Sequence, residues 1–221
     1  MTYSLIAFDK PSATFGIACA TGGPALGGFV PHLLPGIGAA ITQGFSTNVL
    51  SAEQGLARLS KGEGVANIIN DLQHADQGAA WRQIGLMDAH GVAAGWTGQQ
   101  NVPVADMRIS DGLLVAGNML ASQEVIPAME AAYLDTRQHD DMATALMAAL
   151  VAARQHGGDH RGTRSAALKV RAPGGLPYDL RIDQADDAIN ALLDLHQQIQ
   201  KDSDFQAFLA RLPTATFPHR Y

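Results

Sequence analysis

Two pairs of short apolar runs, each pair joined by a tight turn, constrain the fold of this chain more than any other feature. Tyr3 to Phe8 is apolar and bounded by the turn cluster Asp9-Lys10-Pro11-Ser12, and Thr14 to Ala20 forms the next run. Gln83 to Asp88 and Val92 to Trp96 flank Ala89-His90-Gly91 in the same way. Strands joined by so few residues pair as antiparallel hairpins.

Further strands are expected at Gly36 to Thr42 and at Leu113 to Ala116, which Gly117-Asn118 ends. Ser165 to Val170 and Asp179 to Ile182 read as a closing pair. Asn48 to Leu59 has a helical pattern, with Ser51 and Gln54 spaced as a capping box and Leu50, Leu56 and Leu59 on roughly one face. Val65 to Leu72 continues as a second helix with Ile68, Ile69 and Leu72 inward. Gln123 to Leu134 and Asp141 to His156 follow; the latter is rich in Ala and Leu and is expected to be buried on most sides. Its Met142 to Ala153 stretch is a candidate assembly surface or internal core. Gln184 to Leu212 forms one or two terminal helices. Hairpins alternating with groups of helices specify an α+β domain in which helices cover stacked antiparallel sheets, with residues 1–221 as a single domain.

Composition removes several function classes. The net charge is −6, only four lysines occur (Lys10, Lys61, Lys169, Lys201), and no basic stripe is present to displace phosphate counterions, which argues against nucleic acid. The single cysteine, Cys19, allows no intramolecular disulfide and fits a reducing compartment. The N-terminus reads as a strand rather than a signal peptide, and no apolar run is long enough to span a bilayer, so a cytoplasmic protein without membrane contact is expected. The run Gly22 to Gly28 lacks the Gly-Lys-Ser/Thr of a phosphate loop. His156, Asp159 and His160 have the spacing of metal ligands, but Gly157-Gly158 interrupts any helix between them. No cofactor or metal is therefore expected.

Seven blocks in order resemble one family: Thr2-Tyr3-Ser4-Leu5-Ile6-Ala7, Gly36 to Gln43, Arg82 to Asp88 with Trp96-Thr97-Gly98, Gly117-Asn118-Met119-Leu120, Gly157-Gly158-Asp159 with Arg161-Gly162, Ser165 to Leu168, and Asp179 to Asp183. The family is DUF1028, of unknown function, placed among the N-terminal-nucleophile hydrolase-like proteins. The resemblance implies a four-layer αββα sandwich. Some relatives carry a peptidoglycan-binding domain, which points to peptide or amide substrates.

In that fold class the nucleophile is the first residue of the mature chain, and its own α-amine is the general base. Thr2 fits once Met1 is removed. An α-amine has an ordinary pKa of about 7.7–8.0, close to working pH. While Met1 remains, the Thr2 nitrogen lies in a peptide bond and cannot act as a base, and Thr2 is simply the start of a strand. Proteasome-like members place a lysine near the nucleophile. None lies between Lys10 and Lys61, which leaves Arg161 or Arg164 for that role.

Asn118, at a strand end, offers a side-chain amide to an oxyanion, or is a turn residue bonded to its own backbone. Thr42 and Gln43 end the third strand and are expected to line the same pocket. Asp159 is a catalytic carboxylate or a loop carboxylate satisfying backbone N–H groups. Arg161 is suited to clamp a substrate carboxylate, and Ser165 opens the next strand. Two functions follow: a hydrolase of an amide or peptide-like bond through Thr2, or a small-molecule-binding protein that keeps Met1. In both, a homo-oligomer, first of all a dimer, is expected.

Overall fold

Strand β1 (Thr2–Asp9) is the centre of the fold. In a computed structural model describing residues 2–221 it pairs antiparallel with β2 (Thr14–Thr21) on one edge and β8 (Leu113–Asn118) on the other. Met1, on whose removal the expected chemistry depends, lies outside the described residues. Strands β9 (Ser165–Arg171), β10 (Tyr178–Ile182) and β7 (Asp106–Ser110) complete a six-stranded sheet of order β10-β9-β2-β1-β8-β7. A second sheet of four strands runs β3 (Pro31–Leu34), β4 (Gly38–Gly44), β5 (Arg82–Asp88) and β6 (Ala93–Thr97), and every neighbouring pair in both sheets is antiparallel.

Strand alternation divides the side chains between two faces. From β1, Tyr3, Leu5 and Ala7 point to one side, where they join Val125, Ile126 and Met129 of α3 (Val125–Thr136) and Leu146, Ala149 and Leu150 of α4 (Met142–Gln155). Ile189 and Leu192 of α5 (Ala188–Lys201) belong to the same cluster. Ile6 and Phe8 point the other way. With Phe15, Ile17, Cys19 and Leu114 they meet Ala39, Ile41 and Met87 of the four-stranded sheet. The outer face of that sheet, through Ala40, Ile84, Leu86 and Trp96, packs on Ala52, Leu56 and Leu59 of α1 (Val49–Leu59) and on Ile68, Ile69 and Leu72 of α2 (Val65–Ala75). A last helix, α6 (Ser203–Arg211), follows α5 and is capped by Asp202, whose carboxylate accepts from the Phe205 amide at 2.9 Å.

The hairpins and helices of the sequence reading are present, with corrections. Helix α1 is capped by Asn48, whose side chain accepts from the Ser51 amide at 3.3 Å, so Ser51 lies inside the first turn and the Ser51–Gln54 capping box does not form. Leu50 is exposed, because Ala52, Gly55, Leu56 and Leu59 define the buried stripe and position 50 falls about 200° from position 52. Strands β3 and β7 were not legible. Both are sheet edges, where one side of the ladder is open and the side chains are half exposed. The Ala-rich face of α4 is buried within this single chain, so it is core and not an assembly surface. Among the described residues no helix is long and apolar enough to cross a membrane.

Ile17, buried between the sheets, and exposed Leu50 offer a direct contrast. Ile17→Ala should cost about 2–5 kcal/mol, whereas Leu50→Ala should stay within about 0.5 kcal/mol. Urea unfolding midpoints of the two variants against the parent check this.

Candidate functional site

The apolar interface between the sheets ends in polar residues. Register pairs Ser165 with Thr21, Thr21 with Thr2, and Thr2 with Asn118, so four polar side chains form one row across β9, β2, β1 and β8. The next row inward is Ala167, Cys19, Ser4 and Ala116. On the facing sheet the corresponding row is Gln43, Gln83 and Thr97. Beyond the row lies a cleft of about 470 Å³ lined by Thr2, Thr21, Gly23, Pro24, Leu26, Phe29, Val30, Gly44, Phe45, Thr47, Met119, His160 and Arg161.

Thr2 Oγ1 donates to Thr21 Oγ1 at 3.2 Å. Phe8 N–H donates to Gly112 O at 2.8 Å on the β8 side, and N–H direction alternates along a strand, so Thr2 also directs its nitrogen toward β8. Thr2 and Thr21 are then a non-hydrogen-bonded pair, the arrangement that brings side chains closest. The backbone just after Asn118 turns sharply: Met119 holds a left-handed conformation (φ 52°), uncommon for a residue with a side chain, and lines the cleft.

Behind the row runs a buried chain of amides. Ser4 Oγ donates to Gln43 Oε1 at 2.7 Å, and Gln43 Nε2 donates to Gln83 Oε1 at 2.7 Å. Gln83 Nε2 lies 2.8 Å from Thr97 Oγ1, 3.0 Å from Asp106 O and 3.1 Å from Gly117 O. Asn118 Nδ2 donates to Gln83 Oε1 at 3.3 Å, and Asn118 Oδ1, fully buried, has no hydrogen-bond partner among the described residues.

The loop before β9 forms one wall. Asp159 is buried and accepts from the Gly22 amide (2.6 Å), the Arg161 amide (2.9 Å), Arg161 Nε (3.0 Å) and Arg161 Nη2 (2.7 Å). Burial pushes this carboxyl up, but the hydrogen bonds from Arg161 and Gly22 outweigh it and hold the pKa below the usual carboxylate range. A Cβ on Gly22 would lie 2.5 Å from Asp159 Oδ2, so only glycine permits this approach. Tyr3, on the opposite face of β1, places its hydroxyl 2.9 Å from Thr163 Oγ1, and burial raises its pKa to about 12. The loop is thus fastened to β1 through Tyr3 and, through Gly22, to the residue that follows β2.

The structure brings Thr2 and Arg161 together at the cleft, with Asn118 in the row beside Thr2 and Gln43 behind it. It does not bring Thr42. Adjacent strand residues face opposite sides, and Thr42 Oγ1 instead donates to Asn48 O at 3.1 Å beside the start of α1. Arg164 is exposed and absent from the lining, and its backbone N–H donates to Thr21 O at 2.9 Å. Ser165 Oγ donates to Gly23 O (2.7 Å) and accepts from Leu26 N (3.2 Å), stapling the glycine-rich loop. Asp159 sits behind Arg161 with its oxygens occupied, which is the geometry of a loop clasp rather than of a catalytic carboxylate. Asn118 presents an acceptor, not the expected donor, as its unpartnered atom. Sequence reasoning missed Thr21, Gln83 and the apolar lining of Phe29, Phe45 and Met119. A glutamine at the inward parity of β5, in phase with Gly85 and Met87, was the available signal for Gln83.

An α+β protein with two antiparallel sheets, six α-helices among the described residues and a cleft of mixed polar and apolar lining at the head of its central strand is the class defined so far. The chain belongs to the DUF1028 family, described as a family of unknown function, whose model matches residues 2–192. The crystal structure of protein SPO2555 from Silicibacter pomeroyi, also described by the DUF1028 model, matches at TM-score 0.91 and 30% identity over 99% of this chain and 98% of that one. Anbu (ancestral beta-subunit) from Yersinia bercovieri aligns over 96% of this chain and 98% of that one at 10% identity and TM-score 0.41, too low to assign a fold. No curated protein matches the chain.

Because Asp159 has a depressed pKa in the folded state, its stabilisation is complete above the unfolded value near 3.8 and is lost as pH falls through the folded value. Asp159→Asn should cost about 3 kcal/mol at pH 7. The gap to the parent should narrow below about pH 4 in urea titrations run at both pH values.

Proposed function

We propose that this protein is an N-terminal-nucleophile-type hydrolase, built as a four-layer αββα sandwich, that cleaves an amide or peptide-like bond through Thr2 once Met1 is gone. The supporting observation is the placement of Thr2: its hydroxyl opens on the cleft at the head of the central strand, and its nitrogen is directed along the same sheet toward Asn118. The α-amine takes the Oγ1 proton as Oγ1 attacks the carbonyl carbon. The resulting ammonium then returns that proton to the leaving amine, and water cleaves the ester left on Thr2. Arg161 at the cleft wall supplies positive charge to the carbonyl oxygen or to a substrate carboxylate. Phe29, Phe45 and Met119 favour an apolar group on the substrate.

No lysine is among the described cleft residues, and that favours a second reading, a small-molecule-binding protein that retains Met1. Two forms of the chain separate the readings: one released from a cleavable fusion so that it begins at Thr2, and one retaining Met1. Against a panel of N-acyl amino acids and short peptide amides, the Thr2-initiated form should turn over substrate, and the Met1 form should be slower by about 10²–10⁴-fold. Thr2→Ala should abolish turnover and Thr2→Ser should keep part of it. Equal turnover by Thr2→Ala and parent overturns the nucleophile. Ligand-induced stabilisation of the Met1 form without product supports the binding reading. Intact mass of the protein from its own cells states which form is native.

A further inference from the structure

Asn118 Oδ1 is a buried acceptor with no partner among the described residues, and the direction of the hydrogen-bond chain around it leaves that oxygen no other place. Gln83 Nε2 faces two backbone carbonyls, Asp106 O and Gly117 O, which can only accept, so its orientation is set. Gln83 Oε1 must then face Gln43 and Asn118, and both must offer it N–H groups. Turning the Asn118 amide over would set Oδ1 against Gln83 Oε1, acceptor against acceptor. Oδ1 therefore points away from Gln83. Buried polar groups are overwhelmingly partnered in folded proteins, so an orphaned acceptor calls for a donor.

Thr2 is the register partner of Asn118 on β1, on the same face, and its nitrogen is directed toward β8. As a peptide nitrogen it carries one hydrogen, which belongs to the ladder with β8. As a free α-ammonium it carries three. Removal of Met1 thus creates surplus donors beside a surplus acceptor.

We propose that Asn118 is the positioning residue for the Thr2 α-amino group, with Oδ1 accepting one of the hydrogens that only the processed N-terminus possesses. This rests on the reading that Thr2 is the mature N-terminus. The contact holds the nitrogen in place and favours its protonated form, since an acceptor binds an ammonium more strongly than an amine. Among the described residues, few other titratable groups border this end of β1. Asp159, His160 and Arg161 come from the loop before β9, and the buried Cys19 thiol, whose pKa burial pushes up, comes from the next row. The β4–α1 connection contributes Phe45 and Thr47 to the lining, neither of which ionises.

The test needs no substrate. Asn118→Leu is made in both the Thr2-initiated and the Met1-retaining chain, and the four proteins are unfolded in urea. The α-amine pKa of the two Thr2-initiated proteins is read from the pH dependence of N-terminal acylation, followed by peptide mass. The substitution is expected to lower the urea midpoint more in the Thr2-initiated chain than in the Met1 chain. It should also lower the α-amine pKa by about one unit, raising acylation at pH below both values about tenfold. Asn118→Asp, which keeps an acceptor, should leave that pKa unchanged or raise it. Equal midpoint losses in both chains with an unmoved α-amine pKa overturn the proposal. If the leucine variant does not fold, Asn118→Val carries the same comparison. Coupling without turnover of any amide supports this positioning role and counts against the hydrolase alone. Turnover without coupling sinks this role and leaves the hydrolase standing.

Discussion

The register of β1 between β2 and β8 is the constraint on which the cleft depends. Side chains alternate along a strand, so a slip of one residue would send Thr2 and Ser4 to the helix side and Tyr3 to the inter-sheet side. The register is held by mass and shape on both faces. Tyr3, Leu5 and Ala7 are fully buried against α3 and α4, and Ile6 and Phe8 against the second sheet. The same apolar packing that orders the core thereby sets the Thr2 side chain beside Thr21 at the cleft and directs its nitrogen toward β8. The polar row of Ser165, Thr21, Thr2 and Asn118 is the last one because the apolar contact between the two sheets ends there.

Much of this was legible in the sequence. Tight turns at Asp9–Ser12 and Ala89–Gly91 announced the hairpins, and the DUF1028 blocks placed Thr2, Asn118 and Asp159 among the candidates. The failures have physical causes. Proximity in sequence suggested that Thr42 and Gln43 act together, but a strand sends neighbours to opposite faces, so one entered the interior and the other met Asn48 beside α1. Asp159 was legible as a polar loop residue, but its four donors come from Gly22, 137 residues away, and from Arg161, and only the folded chain brings Gly22 there. Strand β7 alternates polar and apolar residues over just five positions, with Met107 packed on the inter-sheet cluster and Ile109 exposed, too short and open a run to mark an element without its pairing to β8.

Arg161 shows how one side chain serves two ends. Its guanidinium holds Asp159 side-on through Nε and Nη2, and it remains about half exposed on the cleft wall. Asp159 in turn grips the Gly22 amide at the end of β2, next to Thr21. The charge at the cleft is therefore mechanically joined to the strand that carries the hydroxyl partner of Thr2, and a rotation of Arg161 would be felt there. Fixed dipoles and charges held by such supporting contacts lose little reorganisation energy when a substrate develops charge.

The amide chain from Ser4 through Gln43 to Gln83 has a polarity: every proton in it is handed toward the carbonyls of Asp106 and Gly117. Its members come from both sheets. Apolar contacts are non-directional, so between two close-packed faces shape alone separates one stacking offset from another. A directional row of donors and acceptors tolerates no such offset, since a displaced link strands several buried groups at once. The chain therefore acts as a key between the sheets, selecting one stacking offset among many of similar apolar contact, and it does so at the end of the interface where the cleft opens.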